Sequence, residues 1–245
     1  HNGAAQGLSS EKIVTVHQDS DGNLWVGTYD GGLCRLEGDH FECFTTAEGL
    51  AHDHVTSFTE DVEGNLWFGS LGGGLNRLRD AKFTALTTAE GLAHPGVWAI
   101  REGRRGLWIG TESGLDLVVD GYPVDYPGRQ AAAEDSLMAI YEEEDGTVWT
   151  GLYGGGLRRL SGGRWTTYTT ANDLADDEVF CITQDSEGAI WIGTRGGLNR
   201  LVDGQFTTFT TEDGLPQDNI KALHIDSKGV LWVGTRGGGL ARYLY

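Results

Sequence analysis

Basic residues are scarce: 18 lysines and arginines stand against 36 aspartates and glutamates, a formal net charge of −18. Such a surface repels phosphate backbones and anionic headgroups, so neither nucleic acid nor membrane insertion is expected of this chain. No apolar stretch approaches the roughly 18 residues a transmembrane helix needs. The opening string His1-Asn2-Gly3-Ala4-Ala5-Gln6 lacks the features of a signal peptide and reads as a processed or cloned start. Proline is rare, with four in 245 residues, and there are three cysteines. What is abundant is glycine, with 39, accompanied by eight each of Trp, Tyr and Phe. That many aromatics exclude a disordered linker, and glycines without a three-residue period exclude collagen.

The tryptophans carry a period. Trp25, Trp67, Trp108, Trp149, Trp191 and Trp232 lie 42, 41, 41, 42 and 41 residues apart. Each sits in a similar string, from Gly22-Asn23-Leu24-Trp25-Val26-Gly27-Thr28 to Gly229-Val230-Leu231-Trp232-Val233-Gly234-Thr235. Six copies of about 41 residues fill the chain, so one domain spanning 1–245 is expected, with no second domain.

Within the first copy, Ile13 to His17 reads as a strand, and Asp19-Ser20-Asp21-Gly22 as a tight turn. Leu24–Thr28, Leu33–Leu36 and Phe41–Thr45 supply three more strands, and a longer loop from Thr46 to His54 leads to the next copy. Apolar residues alternate and do not recur at helical spacing. Four antiparallel strands repeated in this way describe one blade of an all-β, six-bladed β-propeller. The repeated Trp then fills the wedge between blades, and its flanking glycines allow tight turns and close backbone approach. The last copy stops after its third strand, and the residues before Ile13 are expected to complete it.

The recurring string Asp-x-x-Gly-x-Leu-Trp-x-Gly-Thr-x-x-Gly-Gly-Leu-x-Arg-Leu, followed by Phe-Thr-x-x-Asp-Gly-Leu, resembles the two-component regulator propeller repeat. The third copy departs most: Leu115-Asp116-Leu117-Val118 lacks the arginine, and 128–133 replace the Thr-x-x-Gly-Leu run. The resemblance implies a bacterial sensor propeller of hybrid histidine kinases, periplasmic or extracellular, that detects a ligand.

Chemical motifs are few. Asp19-Ser20-Asp21-Gly22-Asn23 hints at a calcium loop, but an EF-hand wants Gly at its sixth position and Glu at its twelfth, where this chain has Leu24 and Asp30. No nucleophile elbow, phosphate loop or HExxH string occurs. His52, His54 and His94 are the clustered imidazoles. Equivalent loops of neighbouring blades lie too far apart for zinc, so neither a metal nor another cofactor is expected. The arginine at Arg35, Arg77, Arg159, Arg200 and Arg242 recurs, as architecture does, and is expected to pair with a neighbouring acidic loop.

Positions that vary on the repeated scaffold are where such proteins keep their binding chemistry. Strand alternation places the turn between the second and third strands on the same side as the inter-blade loop. After Gly-Thr come Tyr29, Leu71, Glu112, Tyr153, Arg195 and Arg236. The loop position holds Ser10, His52, His94, Glu134, Asp176 and Gln217, and the second residue of the first strand is Val14, Thr56, Trp98, Met138, Phe180 or Lys221. The expected ligand-binding residues are Tyr29, His52, His54, His94, Trp98, Tyr153, Arg195 and Arg236, at the channel mouth. Their expected partner is a small polar ligand, with carbohydrate among the candidates, or a protein. A lyase acting on a polysaccharide or cyclic ester is the alternative, with His52, His54 or His94 as base beside Glu112 or Glu134. A scaffold subunit is a further one. Counting back from the turn at 37–40 places Cys34 opposite Cys43, a pairing open to either a disulfide or two thiols. Cys181, in a first strand, is expected to be a buried free thiol.

Overall fold

The architecture, seen in a computed structural model, is a six-bladed β-propeller, each blade an antiparallel sheet. The structure describes residues 6–79, 82–129 and 136–243. Of the residues before Ile13, expected to complete the last blade, 1–5 lie outside that range and 6–12 form no strand; Glu134 and Gln130 to Ala133 of the divergent third copy also lie outside it. The chain divides into two compact units, His1–Glu134 and Asp135–Tyr245, with three blades in each.

In the first unit, blade 1 comprises β1 (Ile13–Gln18), β2 (Leu24–Thr28), β3 (Leu33–Glu37) and β4 (His40–Phe44). Blade 2 comprises β5 (Val55–Glu60), β6 (Leu66–Ser70), β7 (Gly74–Arg79) and β8 (Lys82–Leu86). Blade 3 has β9 (Val97–Glu102), β10 (Leu107–Thr111), β11 (Gly114–Val119) and the short β12 (Tyr122–Val124). In the second unit, blade 4 is β13 (Leu137–Glu142), β14 (Val148–Leu152), β15 (Leu157–Ser161) and β16 (Arg164–Tyr168). Blade 5 is β17 (Val179–Gln184), β18 (Ile190–Thr194), β19 (Leu198–Val202) and β20 (Gln205–Phe209). Blade 6 shows three strands among the described residues, β21 (Ile220–Ile225), β22 (Leu231–Thr235) and β23 (Gly239–Tyr243).

The core lies in layers between successive blades. Trp25, Leu33 and Leu50 meet Val55, Leu66 and Phe68, and Trp67, Leu75 and Leu92 meet Val97, Leu107 and Ile109. In the second unit Trp149 and Leu174 meet Val179 and Ile192, and Trp191 meets Ile220 and Val233. The Gly of the Trp-x-Gly-Thr string explains how close these layers come. A Cβ on Gly27 would sit 2.7 Å from Val55 Cγ1, and one on Gly193 would sit 2.7 Å from Ile220 Cγ2. Within each unit the first strand of the following blade is thus seated on bare backbone.

Five of the six repeated Trp are fixed by a polar contact as well as by burial. The indole N–H donates to the turn carboxylate six residues earlier: Trp25 to Asp19 at 2.8 Å, Trp67 to Asp61 at 2.7 Å, Trp191 to Asp185 at 2.8 Å and Trp232 to Asp226 at 2.9 Å. In blade 4 Glu143 takes that part for Trp149, at 2.6 Å. The same carboxylates accept backbone N–H groups of their own turn, as Asp19 does from Asn23. The Asp-x-x-Gly motif is therefore a turn lock in which both oxygens are already used. Burial opposes ionisation of Asp19 and Asp61, yet the bonds from indole, asparagine and backbone outweigh it and hold both below the usual carboxylate range.

The recurring arginine meets acidic groups as expected, Arg200 reaching Glu187 of the turn at 3.4 Å, and it has a further partner as well. That partner is the Trp of its own blade: the guanidinium carbons of Arg35, Arg77, Arg159 and Arg200 lie 5.8, 5.4, 5.6 and 5.7 Å from the ring centres. The strand register puts Arg and Trp opposite one another, so stacking costs no reach. Arg35 adds ion pairs to Glu37 and Glu42 of its own hairpin. Blade 3, which lacks the arginine, covers Trp108 edge-on with Tyr126 at 5.0 Å, and fully buried Asp116 pairs with Arg129 at 2.9 Å. Cys34 and Cys43 are paired in the β3–β4 register and form a disulfide, their Cα atoms 4.0 Å apart. Cys181 is free, and burial pushes its thiol up to about 12.

Candidate functional site

Two connections do share one side of each blade. The turn between second and third strands hydrogen-bonds to the loop leaving that blade: Gly32 N donates to Asp53 O, Gly74 N to Pro95 O, and Gly156 N to Asp177 O. That loop holds a single 3-10 turn closed by a capping box, with Thr45 and Glu48, Thr87 and Glu90, Thr169 and Asn172, or Thr210 and Asp213. The Thr-x-x-Glu signature was present in the sequence and marks this element.

The loop position turns out to be chemically restricted. Its side chain accepts the backbone N–H two residues on: Lys12 N donates to Ser10 Oγ, His54 N to His52 Nδ1 at 3.0 Å, Gly96 N to His94 Nδ1 at 2.9 Å, and Glu178 N to Asp176 Oδ1 at 2.8 Å. Gln217 does the same for Asn219, less closely, at 3.4 Å. Ser, His, Asp and Gln vary freely here because each is an acceptor. For His52 and His94 this contact occupies Nδ1, so Nε2 is the ring nitrogen not used by it.

The first strand carries the feature that sequence reading missed. In every blade its pairing with the second strand slips by one residue, between Ile13 and Thr15, Val55 and Ser57, Val97 and Ala99, Leu137 and Ala139, Val179 and Cys181, and Ile220 and Ala222. The residues skipped are Val14, Thr56, Trp98, Met138, Phe180 and Lys221. A bulge frees its residue from the ladder and re-aims the side chain, and bulges are enriched beside functional sites. Here the bulge is constant and its occupant differs six times. Immediately before each first strand, a backbone carbonyl receives the N–H of the residue after Gly-Thr, as Lys12 O does from Tyr29 and Asn219 O from Arg236. Bulge, pre-strand and post-Gly-Thr residues are thereby gathered on the loop side of one blade.

In the first unit this gathering brings Tyr29, His52 and His54 together. The Tyr29 and His54 rings lie 4.2 Å apart, and Lys12 Nζ stands 5.2 Å over Tyr29 while pairing with Asp30 at 2.9 Å. His54 is buried; desolvation, then the neighbouring His52, lowers its pKa, while Asp30 opposes. His94 Nδ1 lies 3.6 Å from Glu112 Oε2. Trp98 occupies the bulge of blade 3, half-buried, and Thr56 of the preceding bulge donates to Val97 O at 2.6 Å.

In the second unit Tyr153 is exposed, and Arg195 pairs with Glu178 at 2.8 Å. Lys221 Nζ sits 3.0 Å above the Phe180 ring centre. Desolvation, then the charge of Arg236, lowers the Lys221 pKa, with Glu178 opposing.

The model of the two component regulator propeller matches residues 7–30, 49–72, 173–196 and 214–237. Four of the six copies thus match this repeat model. Each repeat match runs from the loop position to just past the Trp-x-Gly-Thr string, so it covers the bulge and the turn lock. No curated protein matches the chain. Among solved structures, the extracellular domain of a hybrid two component system from B. thetaiotaomicron matches with a TM-score of 0.84 at 23% identity, over 97% of this chain and 33% of that one. PorZ, a surface component of the type-IX secretion system of Porphyromonas gingivalis, matches with 0.73 at 18% identity, over 95% of this chain and 38% of that one. Virginiamycin B lyase from Staphylococcus aureus matches with 0.72 at 16% identity, over 96% and 84%. The chain thus spans about a third of the length of that extracellular domain from B. thetaiotaomicron.

Proposed function

We propose that this repeat protein is a sensor-type binding module that recognises a small polar ligand, with carbohydrate the first class to test, on the loop side of its blades. One observation carries the reading: the same bulge in all six blades presents six different residues. A constant backbone with changing side chains is what a recognition surface on a repeated scaffold requires. The proposed contacts are, on the first unit by itself, Tyr29, His52, His54, His94 and Trp98, and, on the second by itself, Tyr153, Arg195 and Arg236. Exposed aromatic faces suit stacking on sugar rings, and the imidazole and guanidinium groups suit orientation of hydroxyls. The likeness to a two-component sensor's extracellular domain supports the sensor reading. The Cys34–Cys43 disulfide supports an oxidising compartment, periplasmic or extracellular.

A lyase is the second reading, favoured by the His94–Glu112 approach. Against it, His94 Nδ1 is occupied by the Gly96 N–H, so the acid stands beside an atom already serving the backbone. Thermal-shift screening against neutral oligosaccharides separates these readings. A ligand that stabilises the parent and fails to stabilise the Trp98→Ala, His94→Ala double variant supports binding at the named residues, whereas steady release of product supports the lyase. Stabilisation that survives the double variant removes His94 and Trp98 from the site.

A further inference from the structure

The acidic character of the chain makes the loop side of blades 5 and 6 unusual. Three of its 18 basic residues, Arg195, Lys221 and Arg236, stand there on equivalent or adjoining positions of neighbouring repeats. Arg195 is neutralised by Glu178 at 2.8 Å, with the charge of Asp176 also reaching it. Lys221 and Arg236 are not: among the described residues neither forms an ion pair. Each lies near enough to the other for the Arg236 charge to disfavour protonation of Lys221. Lys221 rests over the face of Phe180, a contact that fixes its ammonium without discharging it. Beside them, the Asn219 carbonyl receives the Arg236 backbone N–H, which seats the post-Gly-Thr residue next to the Lys221 bulge. In a chain with twice as many acids as bases, two neighbouring exposed cations without an ion pair make a local positive patch, with Glu178, already paired to Arg195, the carboxylate whose charge reaches Lys221.

We propose that Lys221 and Arg236 bind an oxyanion of a small ligand, a carboxylate or a sulfate or phosphate group, with Phe180 as the apolar floor of the subsite. Guanidinium and ammonium donors converging on one oxyanion make charge-assisted hydrogen bonds, stronger than neutral ones. The inference rests on the reading of the loop side as the ligand surface, and it names the ligand's charge.

The test is amide NMR of the whole chain, titrated separately with sodium sulfate and sodium acetate while sodium chloride holds ionic strength constant. Saturable shifts centred on Phe180, Asn219, Lys221 and Arg236 are expected with one or both anions, and the stronger of the two identifies the class. Lys221→Met and Arg236→Gln are each expected to weaken binding about tenfold, while Lys228→Gln, at the turn on the other side of the blade, leaves it unchanged. Spectra of the variants that otherwise overlay the parent's show that folding is kept. Linear, unsaturated shifts with both anions overturn the proposal, and so do affinities unmoved by both substitutions. A neutral oligosaccharide that binds parent and both variants equally, with no anion response, overturns this inference and leaves the broader ligand reading standing.

Discussion

The two sides of a single blade follow opposite rules. On the turn side, Asp19, Asp61, Asp185 and Asp226 repeat one contact with one Trp, and Arg35, Arg77, Arg159 and Arg200 repeat one stack on it. Residue and geometry are both kept in most blades, blade 4 replacing the Asp by Glu143 and blade 3 the arginine by Tyr126. On the loop side, the bulge recurs at every first strand while its residue passes from Val14 through Trp98 to Lys221. There geometry alone is constant. Packing between like blades demands like residues, whereas recognition demands a constant frame and free side chains. The comparison also separates two kinds of variation. The loop position varies only among acceptors because it caps a turn, while the bulge accepts apolar, aromatic and cationic residues alike.

The sharpest way to break this contrast is to cut the turn side first. Trp191 is wholly buried between blades 5 and 6, and Trp191→Ala is expected to cost about 3–5 kcal/mol of stability in chemical denaturation. A loss below about 1 kcal/mol would contradict the layered core. Next is its acceptor: Asp185→Ala leaves the indole N–H and turn amides without partners, an expected loss of about 1–3 kcal/mol. The Trp191→Phe, Asp185→Ala pair should lose less than the sum of the single changes, because the orphaned donor is gone.

The smallest effect concerns pH and belongs to the loop side. Desolvation lowers the His54 pKa, so folding favours the neutral ring. The folded-state value lies below the unfolded one near 6.5, so this contribution is complete above about pH 6.5 and is lost as pH falls toward the folded value. Substituting Gln for His54 is expected to flatten that part of the stability–pH curve in thermal melts. An unchanged acid slope would show that His54 is not the group concerned.

Much of this was legible in the sequence, and the parts that were not have physical reasons. The 41-residue period marks the blades, and the turn at 37–40 set a register that proved correct at Cys34–Cys43. The wedge-filling Trp was equally readable because packing constrains residue identity. The arginine's stack on Trp was missed because a charge on an acidic chain invites a carboxylate first. The bulge was invisible because it shifts backbone pairing without asking for any residue, so six unlike side chains leave no motif. The restriction of the loop position to acceptors was written in Ser10, His52, His94, Asp176 and Gln217, but diversity drew notice before shared chemistry did.

The central claim, that the bulge carries recognition and the turn lock carries stability, is tested most directly by one paired measurement. Trp98→Ala, Phe180→Ala and Lys221→Ala are set beside Asp61→Ala, Asp185→Ala and Asp226→Ala, and each variant is melted with and without a ligand that stabilises the parent. The account predicts that the bulge variants melt close to the parent, within about 1 kcal/mol, and that at least one loses the ligand-induced shift. The turn variants should melt lower and keep it. Bulge variants that unfold like turn variants, or a ligand shift lost only on the turn side, would contradict it.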